Sequence, residues 1–277
     1  APVFIGGRLE ARATVESIDR DMRLVVLDTE IVNQHGRRVL RGKAKAKILR
    51  LAPPAIPVPR TGRPRPLPLL AGKVAIVTGA SRGIGRATAR LFAEHGATVW
   101  ANYNRSEMAA RSLQSEIIQD GGRCELAKAD VGDAAAAAQM IEEVSRAGPI
   151  DILVNNAGPR PVAAPFDKVD WADMTTAFGG IVGGAFHATR AALPSLKESR
   201  GAIVNVLSVA ALQRTAHGWL AYGAAKAALH AMSKNLAQEL GPAGITVNMV
   251  SPSMVDTDLV SSVPERARQA IVGHTPL

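Results

Sequence analysis

The stretch Val74-Ala75-Ile76-Val77-Thr78-Gly79-Ala80-Ser81-Arg82-Gly83-Ile84-Gly85 decides how the rest of the chain is read. Four apolar residues bounded by turn formers read as a short buried strand. Glycines 79, 83 and 85 let the backbone turn tightly, and the pattern over residues 86–94 predicts a helix behind them. Such a helix points free N–H groups and a partial positive charge back at the turn, an arrangement suited to a pyrophosphate.

Outward from there the pattern repeats. Further buried strands are expected over residues 98–101, 124–127, 152–154, 202–207 and 246–250. Helical patterns lie between them, including a long one over about residues 107–119. Strands alternating with helices predict an α/β fold, a doubly wound parallel sheet of the Rossmann type with its ligand crevice at the carboxyl ends of the strands. Three zones are expected. Residues 1–51 form a small β-rich segment, residues 52–71 a proline-rich linker and residues 72–277 the dinucleotide-binding domain. In the first, residues 9–15 alternate and residues 24–31 are strand-like. Asn33-Gln34-His35-Gly36 then turns the chain before Val39-Leu40, and Lys43, Lys45 and Lys47 mark one wet strand face. In the second, seven prolines (Pro53, Pro54, Pro57, Pro59, Pro64, Pro66, Pro68) favour an extended connector.

Composition limits the function classes. At 277 residues and 47% apolar the chain has a globular balance, and no apolar run approaches the roughly 20 residues of a membrane span. No secretory leader is visible, and Cys124 is the only cysteine, which excludes an internal disulfide framework. A cytoplasmic location is therefore expected, with Cys124 as a small buried strand residue. Residues 1–70 hold 14 Lys/Arg against 6 Asp/Glu, whereas residues 71–277 hold 19 against 18. The basicity thus belongs to the N-terminal segment, and neither nucleic acid nor membrane is the expected partner of the larger domain.

The chemistry centres on Tyr222 and Lys226, four residues apart in Ala-Tyr-Gly-Ala-Ala-Lys. On a helix they share a face about 5–6 Å apart at Cβ. A tyrosine ordinarily titrates near 10, and a neighbouring cation favours the phenolate, so the pair reads as a proton donor with its activator. The bare spacing also fits two solvated side chains. What stands upstream decides between these readings.

The turn spaced TGxxxGxG, Asp130-Val131, Asn155-Asn156-Ala157-Gly158, Ser208, the Tyr222/Lys226 pair and Pro252 to Thr257 follow one another at set intervals. Together they resemble the short-chain dehydrogenase/reductase family over residues 72–262, in particular its 3-oxoacyl-ACP/CoA reductases. The resemblance implies a catalytic set of Ser208, Tyr222 and Lys226, with Ser208 hydrogen-bonding the substrate and Tyr222 passing it a proton. Lys226 would lower the tyrosine pKa and, with Tyr222, meet the nicotinamide ribose. It implies cofactor contacts from Gly79, Ser81, Arg82, Gly83, Ile84 and Gly85, from Asn104 and Arg105, and from Asp130 and Val131 beside the adenine. Asn156, Ala157 and Gly158, then Pro252, Val255 and Thr257 at the nicotinamide end, complete the set.

An NAD-preferring site usually ends its second strand with an acid. Here Trp100-Ala101-Asn102-Tyr103-Asn104-Arg105 has none, and Arg82 and Arg105 are cations suited to a 2′-phosphate, so NADP(H) is the expected cofactor. A small-molecule or acyl-thioester substrate and a homo-oligomer, dimer or tetramer, are the expected partners. The alternatives are a reductase of another alcohol or ketone (sugar, polyol, steroid) and a catalytically impaired cofactor-binding module. Three departures from the family bear on the choice. Ile181 stands where the family often has a relay Asn, Ser253 replaces a glycine, and the chain stops at Leu277 where relatives continue. Gly179-Gly180 and Gly183-Gly184 near Ile181 are poor helix residues.

Residues 5–51 more weakly resemble the C-terminal part of a MaoC-like hot-dog hydratase. The resemblance rests on Gly7 to Arg12, residues 24–30, the Asn33–Gly36 turn and Val39 to Ala44. No dehydratase site is carried by these residues, and His35 reads as structural. The likeness implies substrates near 3-hydroxyacyl and 3-oxoacyl thioesters. Arg214, His217 and Trp219, just before Tyr222, are candidate substrate contacts or plain surface.

Overall fold

The computed structural model describes residues 9–19, 24–33, 38–47, 68–161, 163–211, 218–253 and 255. They fall into two compact units, one holding the first three strands and the other running from Pro68 onward. The Asn33–Gly36 turn, apart from Asn33 itself, lies outside the described residues, as do residues 52–67 of the expected linker.

In the first unit β1 (Leu9–Asp19), β2 (Leu24–Asn33) and β3 (Arg38–Lys47) form an antiparallel sheet in the order β1-β2-β3. Leu9 pairs with Asn33 and Asp19 with Leu24, with a bulge between Val15 and Ser17. Val32 is buried, while Thr14 to Ser17, around the bulge, and Lys43 are exposed. Lys43 pairs with Glu16, an exposed contact of the kind that contributes about 0–1 kcal/mol.

The second unit is a six-stranded parallel sheet in the order β6-β5-β4-β7-β8-β9. Its strands are β4 (Val74–Val77), β5 (Thr98–Tyr103), β6 (Arg123–Lys128), β7 (Ile152–Asn155), β8 (Ala202–Val206) and β9 (Thr246–Val250). All six stand where the apolar runs placed them, with β5, β6 and β7 extended by one or two residues and β8 one residue shorter than expected. The helices are α1 (Gly83–Glu94), α2 (Glu107–Gln119), α3 (Ala134–Arg146), α4 (Trp171–Phe178), α5 (Gly184–Ser199) and α6 (Leu220–Leu240).

Strand alternation sorts the core into two layers. Ile76, Trp100, Leu153 and Ile203 face Met140 and Val144 of α3 and Ala188, Ala192 and Leu196 of α5. Ala75, Val77, Val99 and Val154 face Ala89 and Ala93 of α1 and Leu113 and Ile117 of α2. Both faces are therefore covered, which is why these strands read as continuous apolar runs. Cys124 is buried on β6, and burial pushes its thiol up to about 12, so it is inert at neutral pH.

Helix starts follow local capping chemistry. The Asp133 carboxylate accepts from the Ala136 N–H at 2.8 Å, and Asp170 and Asp173 form a reciprocal capping box on α4. No side chain caps α1, whose N-cap is Arg82. Between α4 and α5 the backbone widens into one π-helical turn, Gly179–Gly183. The glycine pairs that disfavour ordinary helix thus mark a widened turn, and Ile181 is buried at its centre.

The order β5-β4-β7 puts the reversal of chain direction between β4 and β7, so the crevice opens over their carboxyl ends. The loop after β4 must pack against the loop after β7. A Cβ on Gly85 would lie 2.5 Å from Asn156 Nδ2 and 2.5 Å from the Gly79 carbonyl oxygen. Gly85→Ala is accordingly expected to lower unfolding free energy by about 1–3 kcal/mol in urea titration. An unchanged midpoint would show that the two loops are not locked as described.

Candidate active site

The Thr78 hydroxyl stitches the crevice together. It donates to the Val154 carbonyl at 3.2 Å and accepts from the backbone N–H of Asn156 at 2.9 Å and of Ala157 at 3.0 Å. The Asn156 carboxamide donates to the carbonyls of Thr78 and Gly79 at 2.9 and 3.1 Å. On the other side Gly79 N–H donates to Asn102 Oδ1 at 3.1 Å, while Asn102 Nδ2 donates to the Ala127 and Ala129 carbonyls, each at 3.1 Å. Three strand ends are thereby held in register around the glycine turn. Thr78 and Asn102 are both buried, so each polar atom satisfied here avoids a desolvation cost of about 1–3 kcal/mol.

The groove over this web has a volume of about 910 Å³. It brings together Gly79, Ser81, Arg82, Gly83, Ile84, Asn104, Arg105, Asp130, Val131, Asn156, Ala157 and Gly158, whereas Gly85, also expected as a cofactor contact, does not line it and packs against Asn156 instead. Asn104 Nδ2 donates to Asp130 Oδ2 at 2.8 Å, and Asp130 Oδ1 accepts from Gly132 N–H at 2.9 Å. Arg82 hydrogen-bonds Ser106 across the groove mouth. Arg105 and Arg160 also line the groove and have no ion-pair partner among the described residues. Pro252 accepts from Val209 N–H at 3.0 Å, placing it beside the segment that carries Ser208. Val255 is described and exposed, and Thr257 lies outside the described residues.

A dinucleotide phosphate fits this groove on its own chemistry. The glycine turn approaches the Ala157 backbone too closely for a Cβ at Gly79, the uncapped start of α1 borders the groove, and arginines flank it.

Ser208 follows β8, and Tyr222 and Lys226 lie on α6, so the expected catalytic set sits at the same end of the sheet, though none of the three lines the groove. Ser208 Oγ accepts from Ala210 N–H at 3.2 Å, leaving its own proton to donate. Lys226 is buried and its ammonium donates to the Val206 carbonyl at 2.6 Å, 5.7 Å from the Tyr222 ring centroid. The expectation that Lys226 depresses the tyrosine is corrected here. Burial pushes the Tyr222 phenol above its usual 10, and only a hydrogen bond with Ser208 opposes it. Burial also pulls Lys226 down from 10.5 to about 8. The lysine spends its charge on a backbone carbonyl, so in this ligand-free state desolvation outweighs its help to the phenol.

Several structural contributors carry weak sequence signals. Thr78 and Asn102 read from sequence as strand ends. Asn155 donates to Thr189 Oγ1 at 3.1 Å and to Asn205 Oδ1 at 2.8 Å, and Asn205 donates to Ser233 Oγ at 2.8 Å, a buried chain tying β7 and β8 to α5 and α6. Polar residues inside apolar runs were its available signal, as a cation just past Asn155–Gly158 was for Arg160. Ile181 packs against Leu207, Ala225 and Leu229 beside the catalytic helix, so no polar side chain reaches in from that turn.

A Rossmann-type sheet with an arginine-flanked groove and a Ser/Tyr/Lys cluster at the same end of the sheet is the arrangement of an oxidoreductase. The chain belongs to the short chain dehydrogenase family, whose model matches residues 73–268. A 3-oxoacyl-[acyl-carrier-protein] reductase from Synechocystis is 38% identical over 70% of this chain and 78% of that protein. A (2S)-[(R)-hydroxy(phenyl)methyl]succinyl-CoA dehydrogenase subunit from Thauera aromatica is 38% identical over 74% and 82%. A Burkholderia cenocepacia short chain dehydrogenase solved in complex with NADP is 37% identical, covers 73% of this chain and 83% of its own, and superposes with TM-score 0.69. The weaker hot-dog likeness lies upstream of the residues the family model matches. Among the described residues no helix is long and apolar enough to cross a membrane.

Lys226 gives a pH prediction with a definite sign. Its folded pKa lies below its unfolded one, so between pH about 8 and 10 the unfolded chain binds more protons and stability rises with pH. Above about 10 the raised Tyr222 acts oppositely, because the unfolded phenol ionises first. The unfolding free energy of wild type minus that of Lys226→Met should therefore climb between pH 8 and 10. A flat difference would show that Lys226 is solvated rather than buried.

Proposed function

We propose that this chain reduces the 3-oxo group of an acyl thioester to a hydroxyl, using NADPH. The observation that carries the reading is the Ser208–Tyr222–Lys226 cluster at the same end of the sheet as the arginine-flanked groove. When bound, NADPH supplies the hydride. Ser208 and Tyr222 hold the substrate oxygen between two hydroxyls, and Tyr222 delivers its proton to that oxygen. A phenol kept neutral by burial arrives loaded for this transfer. Lys226, charged below about pH 8, lies close enough to stabilise the phenolate that remains and to meet a ribose hydroxyl. Arg82 and Arg105 are the 2′-phosphate ligands, and Asp130 and Val131 border the adenine.

The thioester choice is supported by two relatives whose names describe 3-oxoacyl carrier and CoA thioester chemistry, and by the MaoC-like likeness of residues 5–51. A homo-oligomer accords with the exposed aromatic side chains of Phe178 and Phe186 on α4 and α5. A second reading, a cofactor-binding module with impaired turnover, is favoured by the buried apolar Ile181 where a water-holding side chain is expected.

NADPH oxidation with acetoacetyl-CoA should exceed that with sugars, polyols or steroids, and Tyr222→Phe should cut kcat by about 10²–10⁴-fold. Tight NADPH binding without turnover on any carbonyl would favour the impaired module, and unchanged Tyr222→Phe rates would refute the proton donor. Replacing Arg82 and Arg105 together by Ala should weaken NADPH much more than NADH in fluorescence titration. Equal losses would remove the 2′-phosphate assignment.

A further inference from the structure

Tyr222 and Lys226 share one face of α6, and Trp219, the residue that caps its start three positions before Tyr222, lays its ring against the tyrosine at the end of that row. At about 1.5 Å of rise per residue the row spans about 10 Å. Its inner end is Lys226, buried against the Val206 carbonyl. Its outer end is Trp219, half-buried at the helix start, with its ring 5.4 Å from the Tyr222 ring at an interplanar angle of 87°. Helical side chains lean toward the N-terminus, so the phenol is inclined toward the indole.

The indole is anchored from behind. Gly218, at φ +87, donates no side chain where a Cβ would meet the Ala164 backbone at 3.2 Å, and its carbonyl accepts from Ala164 N–H at 3.0 Å. Ala164, downstream of the groove-lining Pro159 and Arg160, is thereby held against Gly218, next to Trp219. The reacting oxygen must sit at Tyr222, between the groove and this outer wall. A substituent on the reacting carbon that points away from the groove therefore meets an aromatic surface.

We propose that Trp219 is a specificity-determining residue whose indole seats an apolar, preferably aryl, substituent on the reacting carbon. This rests on the carbonyl-reducing reading above and goes beyond it in naming the substituent. An edge or offset contact with an aromatic substituent gives a gain that a methyl group cannot match.

The test uses the full chain saturated with NADP+, in which a ketone binds without being reduced, so that affinity is read apart from turnover. Dissociation constants for acetoacetyl-CoA and for 3-oxo-3-phenylpropionyl-CoA are measured by calorimetry in wild type, Trp219→Phe, Trp219→Leu and Trp219→Ala. Wild type should prefer the phenyl ligand, Trp219→Phe should keep most of that preference, and Trp219→Leu and Trp219→Ala should each lose about tenfold of it. Trp171→Ala, an exposed tryptophan on α4, should leave the ratio unchanged. A Trp219→Ala or Trp219→Leu ratio equal to wild type, or wild-type indifference between the ligands, overturns the proposal. If Trp219→Ala does not fold, Trp219→Leu reads the same ratio with bulk retained. Phenyl preference without NADPH turnover would instead leave Trp219 standing and remove the reductase reading.

Discussion

The hydroxyl of Thr78 is the smallest group on which most of this structure depends. It bonds three backbone groups of the neighbouring strand and the loop that follows it, at the one place where the sheet reverses its winding. Parallel strands cannot be joined by a tight hairpin, so their loop ends must be brought together by tertiary contacts. Without that hydroxyl, and without the Asn156 carboxamide returning two bonds to the glycine turn, the groove floor would have no fixed shape. The glycines are then a consequence. A backbone pinned this closely leaves no room for a Cβ at Gly85, and the space left over is what a dinucleotide phosphate can enter.

The catalytic cluster obeys a different constraint, the cost of burying charge. Lys226 is kept inside by a single strong bond to the Val206 carbonyl, and its pKa falls to about 8 because that bond does not replace its lost hydration. Tyr222 is buried too, and for an acid the same desolvation acts in the opposite direction. The two groups are thus set to exchange influence only when something else occupies the site. A ribose or substrate oxygen that takes over part of the lysine's bonding would restore the ammonium and bring the phenol down with it.

Much of this was legible in the residues. Strands β4 and β9 and helix α2 begin and end where the apolar pattern places them, because two-sided burial leaves a continuous apolar run. The groove-lining residues from Gly79 to Gly158 were legible through ordered spacing. What resisted reading were buried polar side chains whose partners are remote in sequence, such as Asn102, which bonds the backbone of residues 79, 127 and 129, and Asn205, which bonds the side chains of Asn155 and Ser233. The sign of the tyrosine shift was also out of reach. Helical spacing shows that Lys226 is near Tyr222, but not that a carbonyl claims the ammonium first.

The turn at Gly179–Gly183 shows how a sequence oddity becomes a structural statement. Two glycine pairs in a helical stretch cost about 1 kcal/mol per glycine relative to alanine, and the chain uses that weakness to widen one turn. The widening carries Ile181 inward onto Ala225 and Leu229, on the same helix as Tyr222 and Lys226. The helix is therefore braced by apolar contact at a place where a polar group could have held water for proton return. Such a brace fixes the position of Tyr222 through the helix that carries it.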